Sequence, residues 1–396
     1  MRRFLAFLIL ALLVATMASP AVTTGATTRR QQVISFAASL IDNRGGAVLH
    51  AGVTNATVSA TYATAGVLQT LSAWSAADDL LTDSDLPANM TKWVKGLQNT
   101  TKPANNKNYG GFVERSNATI ATLRYTHEAI ATLDWLNQTS SINATLAANF
   151  TAGLQRVNAT AYPTTLGGFA DRYNENASVA ATYYALEALS VLGQLSRINS
   201  SLAITWLNSC QVLGSANFTS YGGFLNGRSS AYATLQTTYM AVRGLQILDA
   251  LSSMNQSATI AFVLSCYHSD SNYPQYQGGF GQTPDDFVST QSATYYAAAT
   301  LKILGADSRL AADSVSAWVL SKQCSDGGFA DAVPGSGLTP ETYFAVATLA
   351  LLNKLDSLDQ VTQPEPYVFP FWIVGLAVLI TVVVICVIIA RRRKWF

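Results

Sequence analysis

The side chains that could do chemistry here are Tyr125, His127, Glu128, Tyr183, Tyr184, Glu187, Tyr239, Tyr295, Tyr296, Glu341 and Tyr343. They sit at matched places of a phrase written several times along the chain, as in "THEAIATL", "TYYALEAL", "TYYAAATL" and "ETYFAVATL". Tyrosine offers a face that stacks on a sugar, peptide or lipid and a hydroxyl that hydrogen-bonds. Facing carboxylates at ~5–9 Å run glycoside hydrolysis. The plainer reading of the same residues is rings buried between helices. Asp285 and Asp286, in the loop "GQTPDDFVST", are candidates for contact with a partner. The histidines are His50, His127 and His268, and none has a Cys/His spacing that suggests a metal, so no cofactor is expected. Cys386 lies in a long apolar run, leaving Cys210, Cys266 and Cys324. Cys210 and Cys266 each stand fourteen residues before a repeat phenylalanine. That places them on equivalent helices, whose axes pack ~8–10 Å apart, too far for a disulfide. Buried thiols are expected.

The elements that position these residues are announced by Gly-Gly-Phe. Phe112, Phe169, Phe224, Phe280 and Phe329 are separated by 57, 55, 56 and 49 residues. A degenerate first copy, "NRGGAVLHAGVTNATVSATYATAGVLQTL", has Ala47 in place of phenylalanine and Tyr62 fifteen residues later. Such a period is read before anything else, because it fixes the architecture. Before each Gly-Gly lies an amphipathic segment such as "SLAITWLNSCQVL"; after the loop comes an Ala/Thr/Leu-rich helix, apolar all round and therefore buried. Two glycines can take the left-handed turn that ends a helix, and the phenylalanine can tuck beneath it. In "GLTPETYF", Thr339 suits an N-cap, Pro340 the first helical position and Glu341 the positive helix end. Six helix pairs over residues 31–355 with a buried inner ring predict an all-α fold, a closed (α/α)6 toroid with a central cavity.

The repeat "GGF…TYYAAATLKILG" resembles that of protein prenyltransferase β subunits and of terpenoid cyclases such as squalene–hopene cyclase. The resemblance covers all six units and implies the toroid; a fold alone does not imply an activity. In the prenyltransferases a zinc is held by an Asp and a Cys two residues apart at the start of one inner helix, and by a His at the start of a later one. The resemblance puts Thr290, Ser292 and Glu341 at those positions. The D-x-D-D acid of the cyclases is approached only by "TPDDF", which lacks its spacing, and D-D-x-x-D is missed by one residue at Asp78, Asp79 and Asp83. Neither a nucleophile elbow nor a phosphate loop is written.

The ends predict a compartment. Residues 1–18 read as a signal peptide, with cleavage up to about residue 26, since an apolar run of about 15 residues falls short of the ~20 that span a bilayer. Residues 367–390 carry no charge, begin with Tyr367, Phe369, Phe371 and Trp372, and are followed by the basic tail 391–396. After a linker at 356–366 this reads as a transmembrane helix of a single-pass type I membrane protein. Without Arg2, Arg3 and the four basic tail residues, 18 of the 24 basic groups remain against 23 acidic ones, a net of −5 that excludes a nucleic-acid surface. N-glycosylation sequons stand at Asn55, Asn89, Asn99, Asn117, Asn137, Asn143, Asn149, Asn158, Asn176, Asn199, Asn217 and Asn255, and none follows Ala258 in the ectodomain. Intact scaffold, missing ligands and tether together point to a glycosylated cell-surface module that binds an extracellular ligand or protein partner without catalysis. The alternatives are an ectoenzyme, prenyltransferase- or cyclase-like or of the (α/α)6 carbohydrate-active type, and a structural envelope protein.

Overall fold

The computed structural model describes residues 27–81, 85–101, 107–214 and 218–361. The expected signal peptide, the 367–390 span and the tail lie outside these residues. Among the described residues no helix is long and apolar enough to cross a membrane. Residues 29–359 form one compact unit; of the described residues outside it, Thr28 and Val361 pair by an antiparallel bridge.

The helices of the first unit are α1 (Arg29–Ser39), α2 (Val58–Thr70), α3 (Trp74–Asp78), α4 (Leu86–Lys95), α5 (Leu123–Trp135), α6 (Ala144–Ala152), α7 (Val179–Val191), α8 (Ser200–Ser209), α9 (Leu235–Ile247), α10 (Gln256–Ser265), α11 (Gln291–Ile303), α12 (Ala312–Leu320) and α13 (Thr339–Leu351). Six of them, α2, α5, α7, α9, α11 and α13, are each thirteen residues long and pack side by side in that order, and α13 packs on α2. The ring is closed, as the repeat count predicts. Helices α1, α4, α6, α8, α10 and α12 form the outer layer.

The inner helices share their ends because their sequences share them. Thr57, Thr122, Ser178, Thr234 and Thr290 are N-caps whose hydroxyls accept the amide three residues on. Each helix stops at a left-handed residue: Ser72, Asn137, Gly193, Asp249, Gly305 or Asn353. The sixth start differs from the sequence expectation. Its N-cap is Leu338, with Thr339 the first helical residue. Thr339 gives its amide to the Leu49 carbonyl at 3.1 Å, the same bond to the next unit that Val58, Leu123, Val179 and Leu235 make, so the sixth helix keeps the inter-unit bond while lacking the hydroxyl cap.

Gly-Gly-Phe joins these helices to their neighbours. Gly167 has φ +95°, and a Cβ there would come within 2.1 Å of the Leu202 carbonyl oxygen on the next outer helix. The first glycines of the other five units share this conformation, with φ between +90° and +96°. The last, Gly327, faces Gln32 of α1, which closes the outer layer. The following phenylalanines are among the largest fully buried side chains. Their amides donate to Thr126, Thr182, Thr238, Thr294 and Thr342 at 2.9–3.1 Å, and Ala47 does the same to Thr61. Two of the loops add a two-stranded ladder: β1 (Phe112–Val113) with β2 (Ala121–Thr122), and β3 (Phe169–Ala170) with β4 (Ala177–Ser178). The toroid runs past the expected boundary at 355. Leu358 is fully buried and Asp359 accepts from Arg30 at 2.6 Å, so the linker begins later than 356.

Phe224→Ala is expected to cost ~3–5 kcal/mol, as large-to-alanine core changes do. Exposed Arg228→Ala should stay within ~0.5 kcal/mol, and thermal melts that rank them the other way would refute the buried turn.

Candidate functional site

In every inner helix the residue after the conserved threonine points toward the ring axis. These residues are Tyr62, His127, Tyr183, Tyr239, Tyr295 and Tyr343. Their rings form a closed girdle, with successive centroids 5.7, 5.6, 5.8, 5.7, 6.1 and 5.6 Å apart around the circle. The spacing and tilted planes are those of edge-to-face aromatic packing. The girdle divides the axial cavity into two funnels, and all six side chains line both.

The funnel at the N-terminal ends of the inner helices has a volume of about 310 Å³. Tyr184, Tyr296 and Phe344 stand above the girdle as a second aromatic tier, and Ser59, Arg124, Glu128, Gln236, Ser292 and Glu341 supply its polar groups. The Glu128 carboxylate accepts from Ser59 Oγ at 2.6 Å and Arg124 Nε at 2.9 Å. Burial raises its pKa, and the pull of Arg124 and Ser59 opposes that shift. Glu341 is also raised by burial, and its Oε2 has no hydrogen-bond partner among the described residues. Burial, and then the neighbouring tyrosines, push the hydroxyls of Tyr62, Tyr183, Tyr239 and Tyr343 well above their ordinary value, so they stay protonated. His127 is lowered to about 4 by burial and is neutral, with Nδ1 unpartnered among the described residues.

The opposite funnel, about 380 Å³, lies toward the helix C-termini. There Arg243 Nε meets Glu187 at 2.7 Å, and Trp135 stacks on Tyr62 with centroids 4.9 Å apart. Of the residues the sequence singles out, nine gather at the first funnel. Two do not. Glu187 falls one helical turn past Tyr183 and faces the other end; Tyr125 lines neither funnel and packs half-buried against the helix core. Tyr62, Trp135, Phe344 and Arg124 are site residues that the sequence reading passed over. The Thr61-Tyr62 pair could have revealed the first of these. Asp285 and Asp286 lie in a separate surface groove.

The positions that the resemblance assigns to zinc do not fit one. Thr290 Oγ1 is the N-cap of α11, accepting from Ala293 at 3.1 Å, as its equivalents do in four other units. Ser292 Oγ lies 3.3 Å from it. Zinc is held by thiolate, imidazole or carboxylate, so two hydroxyls beside a single carboxylate do not make its donor set. Cys210, Cys266 and Cys324 are buried free thiols, the first two pushed up by burial to about 11 and about 12.

The chain matches the prenyltransferase alpha-alpha toroid domain over residues 4–162 and 154–368. It is 31% identical over 203 residues to the geranylgeranyl transferase type-1 subunit beta of Arabidopsis thaliana, a match over 48% of this chain that spans about half the length of that curated relative. Its fold is similar to Candida albicans protein geranylgeranyltransferase-I complexed with GGPP: TM-score 0.61, 17% identity, 78% of this chain and 87% of that one. It is also similar to the type II terpene cyclase MstE from Scytonema, with TM-score 0.51 and 12% identity over 84% and 98% of the chains.

Elemental analysis of the purified protein is expected to find no stoichiometric zinc; one zinc per chain, lost in Glu341→Ala, would reverse that conclusion. His127 gives a second expectation. Its folded pKa is lowered, so between about 6.5 and 4 the unfolded chain binds the extra proton and stability falls as pH falls. Relative to His127→Phe, the native protein should lose up to ~3 kcal/mol across that window, and parallel stability–pH curves would contradict the buried neutral ring.

Proposed function

Because this chain belongs to the prenyltransferase alpha-alpha toroid domain family, we propose that it uses the family's ring as a non-catalytic binding module, tethered to a membrane with the ring outside. The observation that carries this reading is the girdle. It lies across the ring axis and leaves a funnel with an aromatic floor. The volume of about 310 Å³ is at the lower end of ligand pockets, ~300–1,000 Å³. Of the two acids at the funnel, Glu128 is already engaged by Ser59 and Arg124, and Glu341 Oε2 has no partner among the described residues. Tyr184, Tyr296 and Phe344 offer stacking faces, and the unpartnered Glu341 Oε2 awaits a donor. A hydroxyl-bearing ligand of sugar size meets both requirements.

The exposure of the sequons supports the outward orientation. Asn55, Asn117, Asn137, Asn143, Asn149, Asn158, Asn176, Asn199 and Asn255 are exposed, while Asn89 and Asn99 are half-buried and Asn217 lies outside the described residues. Asn143, Asn199 and Asn255 cap outer helices through Oδ1, which leaves Nδ2 open for a glycan.

The second reading is geranylgeranyl transfer, favoured by the identity to the Arabidopsis subunit. Two measurements separate them. A glycan array probed with the full-length chain should give saturable binding that Tyr184→Ala and Tyr296→Ala each weaken about tenfold or more. Incubation with geranylgeranyl diphosphate, zinc and a peptide ending in a cysteine motif should transfer nothing. Transfer in that assay, or loss of no binding in either variant, refutes the binding module.

A further inference from the structure

The loop after the fifth Gly-Gly-Phe departs from its equivalents. Units two, three and four place Arg115, Arg172 and Arg228 three or four residues past the phenylalanine, whereas the fifth has no basic residue between Phe280 and Lys302 and writes Pro284-Asp285-Asp286-Phe287. Around this loop lies a groove of about 480 Å³, walled by Tyr267, Tyr273, Tyr276 and Phe287 and rimmed by the carboxylates of Asp270, Asp285 and Asp286. None of the three acids forms a salt bridge among the described residues. Phe287 is 82% exposed, the most of any large apolar side chain described. An apolar ring held in water beside unpaired acids asks for an occupant.

The loop is built, not loose. His268 bridges its two sides, with Nδ1 2.7 Å from Ser289 Oγ and Nε2 2.7 Å from the Asp286 carbonyl, and Asp286 Oδ2 accepts the Thr283 amide at 2.9 Å. Aromatic faces and carboxylates around one groove are complementary to a cation. The fold already contains such a contact nearby, since the Lys322 ammonium sits 6.0 Å from the Tyr276 ring centroid.

We propose that this groove docks a basic peptide segment of a partner protein, seating an arginine or lysine side chain between the aromatic walls and the acidic rim. A choline lipid headgroup would also bring a cation, but its phosphate would be repelled by the three carboxylates. No sequon falls within the residues that build the groove.

The test is fluorescence anisotropy of the full-length chain in a maltoside detergent, with a fluorescein-labelled octapeptide of alternating glycine and arginine. Saturable binding is expected, weakened at least tenfold by Asp270→Asn with Asp285→Asn and, separately, by Phe287→Ala, which leaves every charge in place. A glycine–glutamate octapeptide should not bind. These side chains are exposed, so the melting temperature should not move. No saturable binding by the native chain overturns the proposal. So does arginine-peptide binding that Phe287→Ala leaves unchanged, which would be diffuse electrostatics. Preferential binding to phosphatidylcholine vesicles, reduced by the same variants, overturns it in favour of a lipid surface.

Discussion

The structure depends on a contact between units that only glycine permits. The first glycine of each Gly-Gly-Phe lies against the backbone of the next outer helix, where a Cβ would overlap a main-chain atom at 2.1–2.5 Å. The second glycine lies against an aromatic ring of that same helix: Trp93, Phe150, Trp206, Phe262, Trp318 and, across the closure, Phe36. Each unit therefore completes its neighbour, and the sixth completes the first. A solenoid made of such units would need polar caps at both ends; the ring removes the ends.

The same turn orients the interior. With the phenylalanine buried, its amide must find an acceptor, and the threonine of the inner helix provides one while donating its own hydroxyl one turn back, as Thr126 does to Thr122 and Thr294 to Thr290. That pair of bonds fixes the rotation of the helix about its axis. Once the threonine faces the turn, the next residue faces the centre. The girdle follows from the packing rule that closes the ring, and the two funnels follow from the girdle.

This chain of causes explains what the sequence made legible. The six units, the buried phenylalanines and the inner tyrosines come from a repeated pattern, and a pattern can be read without coordinates. Rotation and depth are harder. Tyr125 and His127 are both polar aromatics of one helix, but only the position after Thr126 reaches the axis. Glu128 and Glu187 look equivalent as acids on inner helices, but one follows the girdle residue directly and the other lies a turn beyond it, so they open to opposite ends. Tyr62 belongs to a unit whose phenylalanine has become Ala47, yet the Ala47 amide still bonds Thr61 at 2.9 Å and the tyrosine keeps its place. The groove beside Asp285 required the structure, because its walls come from two loops.

The position of Thr290 shows how such a ring can carry different site chemistry without refolding. In five units of this toroid the equivalent residue is a hydroxyl N-cap, and aspartate caps a helix about as well as threonine or serine does. A residue there satisfies the helix whether or not it also binds a metal. Ser292 is half-buried at the funnel wall, and Glu341 enters a helix whose first amide is satisfied by Leu49 from the other side of the ring closure. The side chains of the three stay out of the glycine contacts and the threonine bonds that hold the units together; Thr290 joins those bonds only through its backbone carbonyl. The groups at the funnel can thus change while the helices, their caps and the girdle stay where the repeats place them.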